Sequence, residues 1–202
     1  MSVFDSKAAT WDADPAKVER ATIIANRLKT HLNFNEINSA IEYGSGTGLL
    51  AFEMRDDISK IYLYDESEQM TKVAQEKADK QQIKSLVPIQ SNILKDPLPK
   101  DKVDFIFILL TLHHIVELDD LYNKFHQMLN PNGKLAIIDL VEDDGSFHDY
   151  DFGGYNGFNR QELEARLLDN NFQATQYEIC YEITKKDTGK QYPLFLSISE
   201  RR

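Results

Sequence analysis

The stretch Ala40–Ala51, AIEYGSGTGLLA, constrains this chain more than any other. Ala40, Ile41 and Tyr43 read as a strand, and Gly44, Gly46 and Gly48 alternate behind it. Leu49, Leu50, Ala51, Phe52 and Met54 then open a helix. A chain turning sharply from a strand tip into a helix needs left-handed backbone or close backbone approach, which glycine supplies at least cost. Such a turn leaves N–H groups at a helix N-terminus, open to a ligand carrying carboxylate or phosphate. The dinucleotide pattern G-x-G-x-x-G would place its third glycine where Leu49 stands. The pattern here is acidic-x-G-x-G-x-G, with Glu42 two residues before Gly44. A bare structural turn would also use these glycines, so partners further along must decide.

Asp14 caps and Pro15 begins a helix to about Leu32, with Val18, Ala21, Ile24, Ala25 and Leu28 on its core face. Ahead of it, Phe4–Asp14 has no clear period and holds Phe4 and the only tryptophan, Trp11. Two readings are open: surface packing, or a lid whose aromatics exclude water from a site. Beyond the glycines, Ile58–Tyr64 reads as a strand ending at Asp65, followed by a helix through Met70, Val73, Ala74 and Ala78. Strands are expected at Lys84–Gln90, at the near-continuous apolar run Val103–Leu110, and at Leu135–Val141 after the turn NPNGK. A helix fills Leu118–Leu129. The alternation is that of a doubly wound α/β sheet. Residues 142–158 lack a period and are rich in Asp, Gly, His and aromatics. A helix at Arg160–Leu168, capped by Asn159, precedes strands at Gln173–Thr184 and Tyr192–Ser199, a terminal hairpin.

The balance of 33 acidic to 23 basic residues gives a formal charge of −10, which disfavours a nucleic-acid substrate. The longest apolar run is far too short to span a membrane. MSVFDSKAATWD has neither a basic start nor an apolar core, so no secretory signal is expected. A single cysteine, Cys180, excludes an intramolecular disulfide and a cysteine-based metal cluster, and the cytoplasm is the expected location. At 202 residues the chain suits one domain: a lid and helix over 1–33, then a core sheet over 34–202 that includes the irregular loop 142–158.

These pieces together resemble the class I S-adenosylmethionine (SAM)-dependent methyltransferases. Glu42-x-Gly44-x-Gly46-x-Gly48 is similar to the family's first motif, and D-E-S-E-Q-M at Asp65–Met70 to its D-x-S-x-x-M. V-D-F-I-F-I-L-L-T-L-H-H-I looks like its fourth strand, and Pro131–Gly133 resembles its P-G-G, with Asn132 tolerating the left-handed backbone. The resemblance implies a Rossmann-like, mostly parallel seven-stranded sheet with an antiparallel C-terminal hairpin and an N-terminal helical lid. It implies a cofactor site of Glu42, Gly44, Ser45, Gly46, Gly48, Asp65, Glu66, Met70, Asn92, Ile93 and Leu109. There Asp65 takes the ribose hydroxyls, Met70 lies near adenine, and the carbonyl around Leu109 takes the methionine ammonium. Asn92 stands where the family usually has Asp, with Ile93 beside it for backbone and apolar contact. The segment FDSKAATWDADPAKVERA is similar to one in small-molecule enzymes near the ubiquinone and menaquinone C-methyltransferases, where it covers cofactor and acceptor.

The implied activity is methyl transfer from SAM to a small-molecule acceptor, through its O, N or C atom, with S-adenosylhomocysteine as product. A monomer or homodimer without nucleic acid, membrane insertion or metal is expected. His114 is the candidate base and Trp11, His148 and Tyr155 are candidate acceptor contacts, with Asp149 near them in sequence. An imidazole near its ordinary pKa of ~6.5 can take a proton at neutral pH. The competing reading has His113 or His114 capping a turn and His148 facing solvent. Adjacent histidines on an extended strand point oppositely, so one of the two is expected to face the ligand. A non-catalytic SAM-binding protein of the same fold is the alternative function, and an NAD(P)-dependent oxidoreductase is disfavoured by the glycine spacing.

Overall fold

The apolar run after Lys102 becomes β4 (Val103–Leu109), the central strand on which the chain is layered. Residues 3–148 and 152–202 are described in a computed structural model. The other strands are β1 (Ser39–Tyr43), β2 (Lys60–Asp65), β3 (Leu86–Gln90), β5 (Leu129–Leu140), β6 (Phe172–Thr184) and β7 (Gln191–Arg201). Their order is β3-β2-β1-β4-β5-β7-β6. β3, β2, β1, β4 and β5 pair in parallel, and β7 runs antiparallel between β5 and β6. The order reverses direction between β1 and β4, so the C-terminal tips of these strands frame the crevice where such sheets bind ligands.

The period of two along β4 divides the core. Phe105 and Phe107 face a layer built by α2 (Pro15–His31), α3 (Leu49–Met54) and α4 (Glu68–Lys80). Ile106 and Ile108 face the other layer, α5 (Leu118–Met128) and α6 (Arg160–Asp169). Both faces of β4 are therefore dry, and this explains its unbroken apolar sequence. β6 and β7 carry the hairpin that the terminal pattern implies, joined around Asp187–Gly189. A short α1 (Val3–Lys7) and a 3-10 turn (Ala8–Ala13) precede α2.

β5 departs from expectation: it begins at Leu129 rather than at 135. N-P-N-G is not a separating turn but a bulge within the strand, where the register jumps from Val103 opposite Leu129 to Phe105 opposite Lys134. Asn132 takes the left-handed conformation there (φ +62°), as its short amide side chain allows.

The helix caps follow the sequence. The Asp14 carboxylate accepts from the Ala16 N–H at 3.1 Å with Pro15 in the first turn. The Asn159 side chain accepts from the N–H of Gln161 (2.9 Å) and Glu162 (3.4 Å). Replacing Asn159 with Ala leaves both donors to solvent and should cost about 1 kcal/mol in urea denaturation, with Asn159→Asp restoring most of it. An Asn159→Ala midpoint equal to wild type would show the cap to be energetically idle.

Candidate active site

Each glycine of the turn answers a different demand. Gly44, Gly46 and Gly48 all have positive φ (+68°, +54° and +82°). A Cβ on Gly44 would lie 2.2 Å from Thr111 Cγ2, and one on Gly48 2.4 Å from Leu63 Cδ2. At Gly46 the same atom would have Trp11 Nε1 at 3.8 Å and Met70 Sδ at 3.9 Å as nearest neighbours. Gly46 therefore faces a gap between the N-terminal segment and α4, whereas its two neighbours face packed side chains.

The turn is fastened to the tip of β2. Gly44 and Ser45 both donate to the Tyr64 carbonyl, at 2.7 and 3.0 Å, and Gly48 donates to the Ser45 carbonyl at 2.8 Å. Asp65 then accepts from the Gly46 N–H at 2.7 Å and, through its other oxygen, from the Ser67 N–H at 2.8 Å. A carboxylate has about four lone-pair positions, so half of its accepting capacity remains. Burial pushes the Asp65 pKa up, Glu66 and Asp5 add to the rise, and the two N–H donors oppose it. Ser67 caps α4 by accepting from the Met70 N–H at 3.2 Å, which sets Met70 under the gap.

Glu42 serves the turn from beneath. Strand alternation sends its side chain to the α3 face, where it is 3% exposed and accepts from the Ala51 N–H at 3.0 Å. Burial raises its pKa to about 8, with the Ala51 N–H and Lys77 opposing the rise. Among the expected cofactor residues, Glu42 is thus placed to hold the first turn of α3. Asn92 sits in a tight turn: its Nδ2 donates to Glu66 at 2.9 Å and its Oδ1 accepts from the Leu94 N–H at 3.0 Å. The Ile93 side chain is fully buried in the α5 layer, and its carbonyl accepts from the Lys124 ammonium on α5. At the tip of β4 the Thr111 hydroxyl lies 3.2 Å from both the Gly44 and Leu109 carbonyls. Leu110, a non-glycine residue at φ +50°, marks strain where the strand leaves the sheet.

The N-terminal segment lies over this turn. Asp12 receives the Thr47 hydroxyl at 2.5 Å and pairs with Lys77 at 2.6 Å, and Lys77 also donates to the Thr47 carbonyl at 2.9 Å. Asp5 accepts from the Ser67 hydroxyl at 2.6 Å. Phe4 meets Trp11 and His114 edge to face, with centroids 6.2 and 5.4 Å apart, and Lys17 lies over the Trp11 ring at 4.3 Å. Sequence reasoning missed Asp5, Asp12 and Lys77. The acids of FDSKAATWDAD were a signal, but their partners lie on α4 and in the glycine turn, far away in sequence.

Beyond β4 the structure brings His113, His114 and His148 together. His113 is buried, with Nδ1 2.6 Å from Asp139 Oδ1; its backbone N–H donates to the other Asp139 oxygen at 3.2 Å. Asp139 also accepts from the Leu140 N–H at 2.7 Å. This pair escaped the sequence reading, although a lone acid inside LAIIDLV marked it. The two histidines occupy a 3-10 turn (Leu112–His114), not an extended strand, so their rings lie side by side, centroids 4.2 Å apart. His148 stacks on Phe152 at 3.7 Å and lies 5.8 Å from His114. Burial, with His113 next to it, lowers the His114 pKa to about 4, well below the ordinary value expected from sequence. Burial lowers that of His148 too. Tyr155 gives its N–H to the His113 carbonyl at 2.8 Å, but its ring stacks on Phe158 and its hydroxyl reaches the Val116 carbonyl at 3.3 Å. Asp149 lies outside the described residues. Among those described, no three His, Cys, Asp or Glu side chains are placed to hold a metal, and no helix is long and apolar enough to cross a membrane.

Residues 35–195 match the family described as "Methyltransferase domain". An uncharacterized methyltransferase of Schizosaccharomyces pombe is 29% identical over 119 residues, 54% of this chain and 41% of its own length. The chain spans less than half the length of the curated relatives it matches. Among solved structures, a chain in the complex between the Haloferax volcanii Trm112 methyltransferase activator and a methyltransferase superposes with TM-score 0.76. It is 13% identical, over 99% of this chain and 98% of that one. A SAM-dependent methyltransferase from Aquifex aeolicus gives TM-score 0.67 at 22% identity, over 92% and 98%.

The raised pKa of Glu42 has a measurable consequence. Below the ordinary carboxylate range both folded and unfolded states hold the proton. Between there and about pH 8 only the folded state does, so stability falls as pH rises through this window and levels off above it. Glu42→Gln keeps an acceptor for the Ala51 N–H and removes the titration. Its urea midpoint should gain on wild type from pH 5 to 8; parallel pH profiles for the two proteins would refute a protonated Glu42.

Proposed function

The chain belongs to the methyltransferase domain family, and from that premise we propose that it transfers the methyl group of SAM to a small-molecule acceptor. One observation carries the reading: the gap over Gly46, walled by Trp11 and Met70 and flanked by the half-used Asp65 carboxylate. The donor set suits SAM. Asp65 and Glu66 offer carboxylate oxygens for ribose hydroxyls, Met70 offers a polarizable surface for a flat base, and the Leu109 carbonyl, which the Thr111 hydroxyl already meets, has a second lone pair for an ammonium.

SAM, when bound, supplies a methyl group already activated on a sulfonium sulfur. What remains for the chain is to align an acceptor and keep water out. Trp11 and Phe4 close the opening from the N-terminal side, and Phe4 links that closure to His114. Phe147, His148 and Phe152 bring the 142–158 loop onto the same ring cluster, giving a mostly apolar lining suited to a compact organic acceptor. His114, neutral above about pH 4, offers an unprotonated ring nitrogen to a phenol, enol or amine throughout the neutral range, and its lowered pKa makes it a weaker base than an ordinary imidazole. His148 stands beside it, and Tyr155 acts through its backbone by holding the loop to His113.

Calorimetry with SAM, S-adenosylhomocysteine, NAD and NADP tests the cofactor: the first two should bind comparably, and preference for a nicotinamide cofactor would end this reading. Asp65→Ala removes a charged acceptor for hydroxyl donors and should weaken SAM by roughly 2–4 kcal/mol. Trp11, the only tryptophan, reports lid closure; its fluorescence should change on saturation with S-adenosylhomocysteine and acceptor. With an acceptor in hand, the acid limb of the pH–rate profile should fall near pH 4, and His114→Gln should abolish it while sparing SAM affinity. Wild-type turnover in that variant would leave His114 a structural residue.

A further inference from the structure

Outside the methyl-transfer site, a cleft of about 350 Å³ opens between α5, α6 and the 142–158 loop. That loop is pinched at its base. Asp143 donates its N–H to the Asn156 carbonyl at 2.8 Å, Glu142 to Phe158 at 3.2 Å, and Phe158 to Leu140 at 2.9 Å. A Cβ at Gly157 would lie 2.4 Å from the Val141 carbonyl oxygen, so glycine keeps the neck closed. The cleft lies against this neck and not against the glycine turn.

The chemistry of its walls is divided by depth. Tyr122, Phe158 and Leu163 are buried and form an aromatic and aliphatic floor. Glu142 and Glu162 are exposed at the rim, and Asp143 adds a third acid at the neck. Arg166 is the one basic residue in the lining. Its charge is already engaged, by the Tyr155 hydroxyl at 3.5 Å and by Asp119 at 3.8 Å. The first N–H groups of α6 are taken by the Asn159 cap, so they offer nothing to an anion. A second, independent feature points to a ligand. Tyr122 is 0% exposed, and its hydroxyl meets no hydrogen-bond partner among the described residues. A buried hydroxyl left unpaired costs about 1–3 kcal/mol, which a polar group entering the floor would recover.

We propose that this cleft is a second ligand site, for a small alkylammonium compound bearing a second polar group, such as an amino alcohol or a diamine. The ammonium lies at the carboxylate rim, the alkyl chain covers the aromatic floor, and the distal hydroxyl or amine pairs with Tyr122. Occupancy would brace the neck of the loop that carries His148 and Phe152 to the methyl-transfer site.

The test is a titration of the full chain, followed by amide NMR shifts, with 4-amino-1-butanol, 1,4-diaminobutane and the neutral control 1,4-butanediol. The two amines should saturate below about 10 mM, the weak end of small-ligand affinity, with shifts centred on residues 154–163. The diol should not bind. Tyr122→Phe should weaken the amines about fivefold, the worth of one ordinary hydrogen bond. Glu162→Gln, at an exposed position that leaves the fold intact, should weaken them about twofold or more, and more at low salt. Failure of both amines to saturate, equal binding of the diol, or affinities unmoved by Glu162→Gln would overturn the proposal and leave Tyr122 to a water molecule.

Discussion

The structure hangs on the carbonyl of Tyr64. A glycine turn at the end of a strand exposes several N–H groups with no partner of their own, and a buried N–H left unpaired is not tolerated. Two of them, from Gly44 and Ser45, converge on that one carbonyl at the tip of the neighbouring strand. The next residue, Asp65, takes the N–H of Gly46. β1 and β2 are thereby locked at the same height, and the carboxylate at the tip of β2 is aimed at the turn before any ligand arrives. Preorganisation of this kind lowers the ordering cost of binding.

From the turn the constraint passes across the sheet. Thr111 packs on Gly44 so closely that no side chain fits, which fixes the tip of β4 against β1. The chain leaves β4 through the strained Leu110 and winds into the 3-10 turn. There Asp139 on β5 holds His113 by both ring and backbone. The His113 carbonyl in turn takes the Tyr155 N–H, and a Cβ on Gly154 would lie 2.2 Å from that carbonyl oxygen. One path of short contacts thus joins the glycine turn to the 142–158 loop, with Gly44 and Gly154 at its two closest approaches.

Sequence revealed what is local. The strand–glycine–helix unit, the Asp14 and Asn159 caps and the continuous burial of β4 each depend on residues within a few positions of one another. The left-handed Asn132 was legible for the same reason, while the bulge around it was not, because the bulge is set by the register with β4. The site divides along the same line. Asp65 and Gly46 stand together, at the end of the strand and in the turn where the sequence placed them. The Asp12–Lys77 and His113–Asp139 pairs join residues 65 and 26 positions apart, and no periodicity connects such partners. His114 shows the cost of reading a residue without its neighbours: the ordinary imidazole pKa assumed from sequence ignores both burial and the adjacent His113, and both push it down.

The balance of forces in the N-terminal segment bears on the lid proposed above. Its polar anchors, Asp12 with Lys77 and Asp5 with Ser67, are part-exposed contacts, and pairs of that kind contribute roughly 0–1 kcal/mol each. The aromatic contacts of Phe4 and Trp11 add about 0.5–1.5 kcal/mol per pair beyond the area they bury. Sums of this size hold a segment closed most of the time yet leave a minor open population. The glycine turn beneath is held differently, by backbone hydrogen bonds and by two glycines, Gly44 and Gly48, that leave no room for a side chain. A rigid cradle under a lightly held cover would let a ligand of the size proposed above enter and leave without disturbing the residues beneath it.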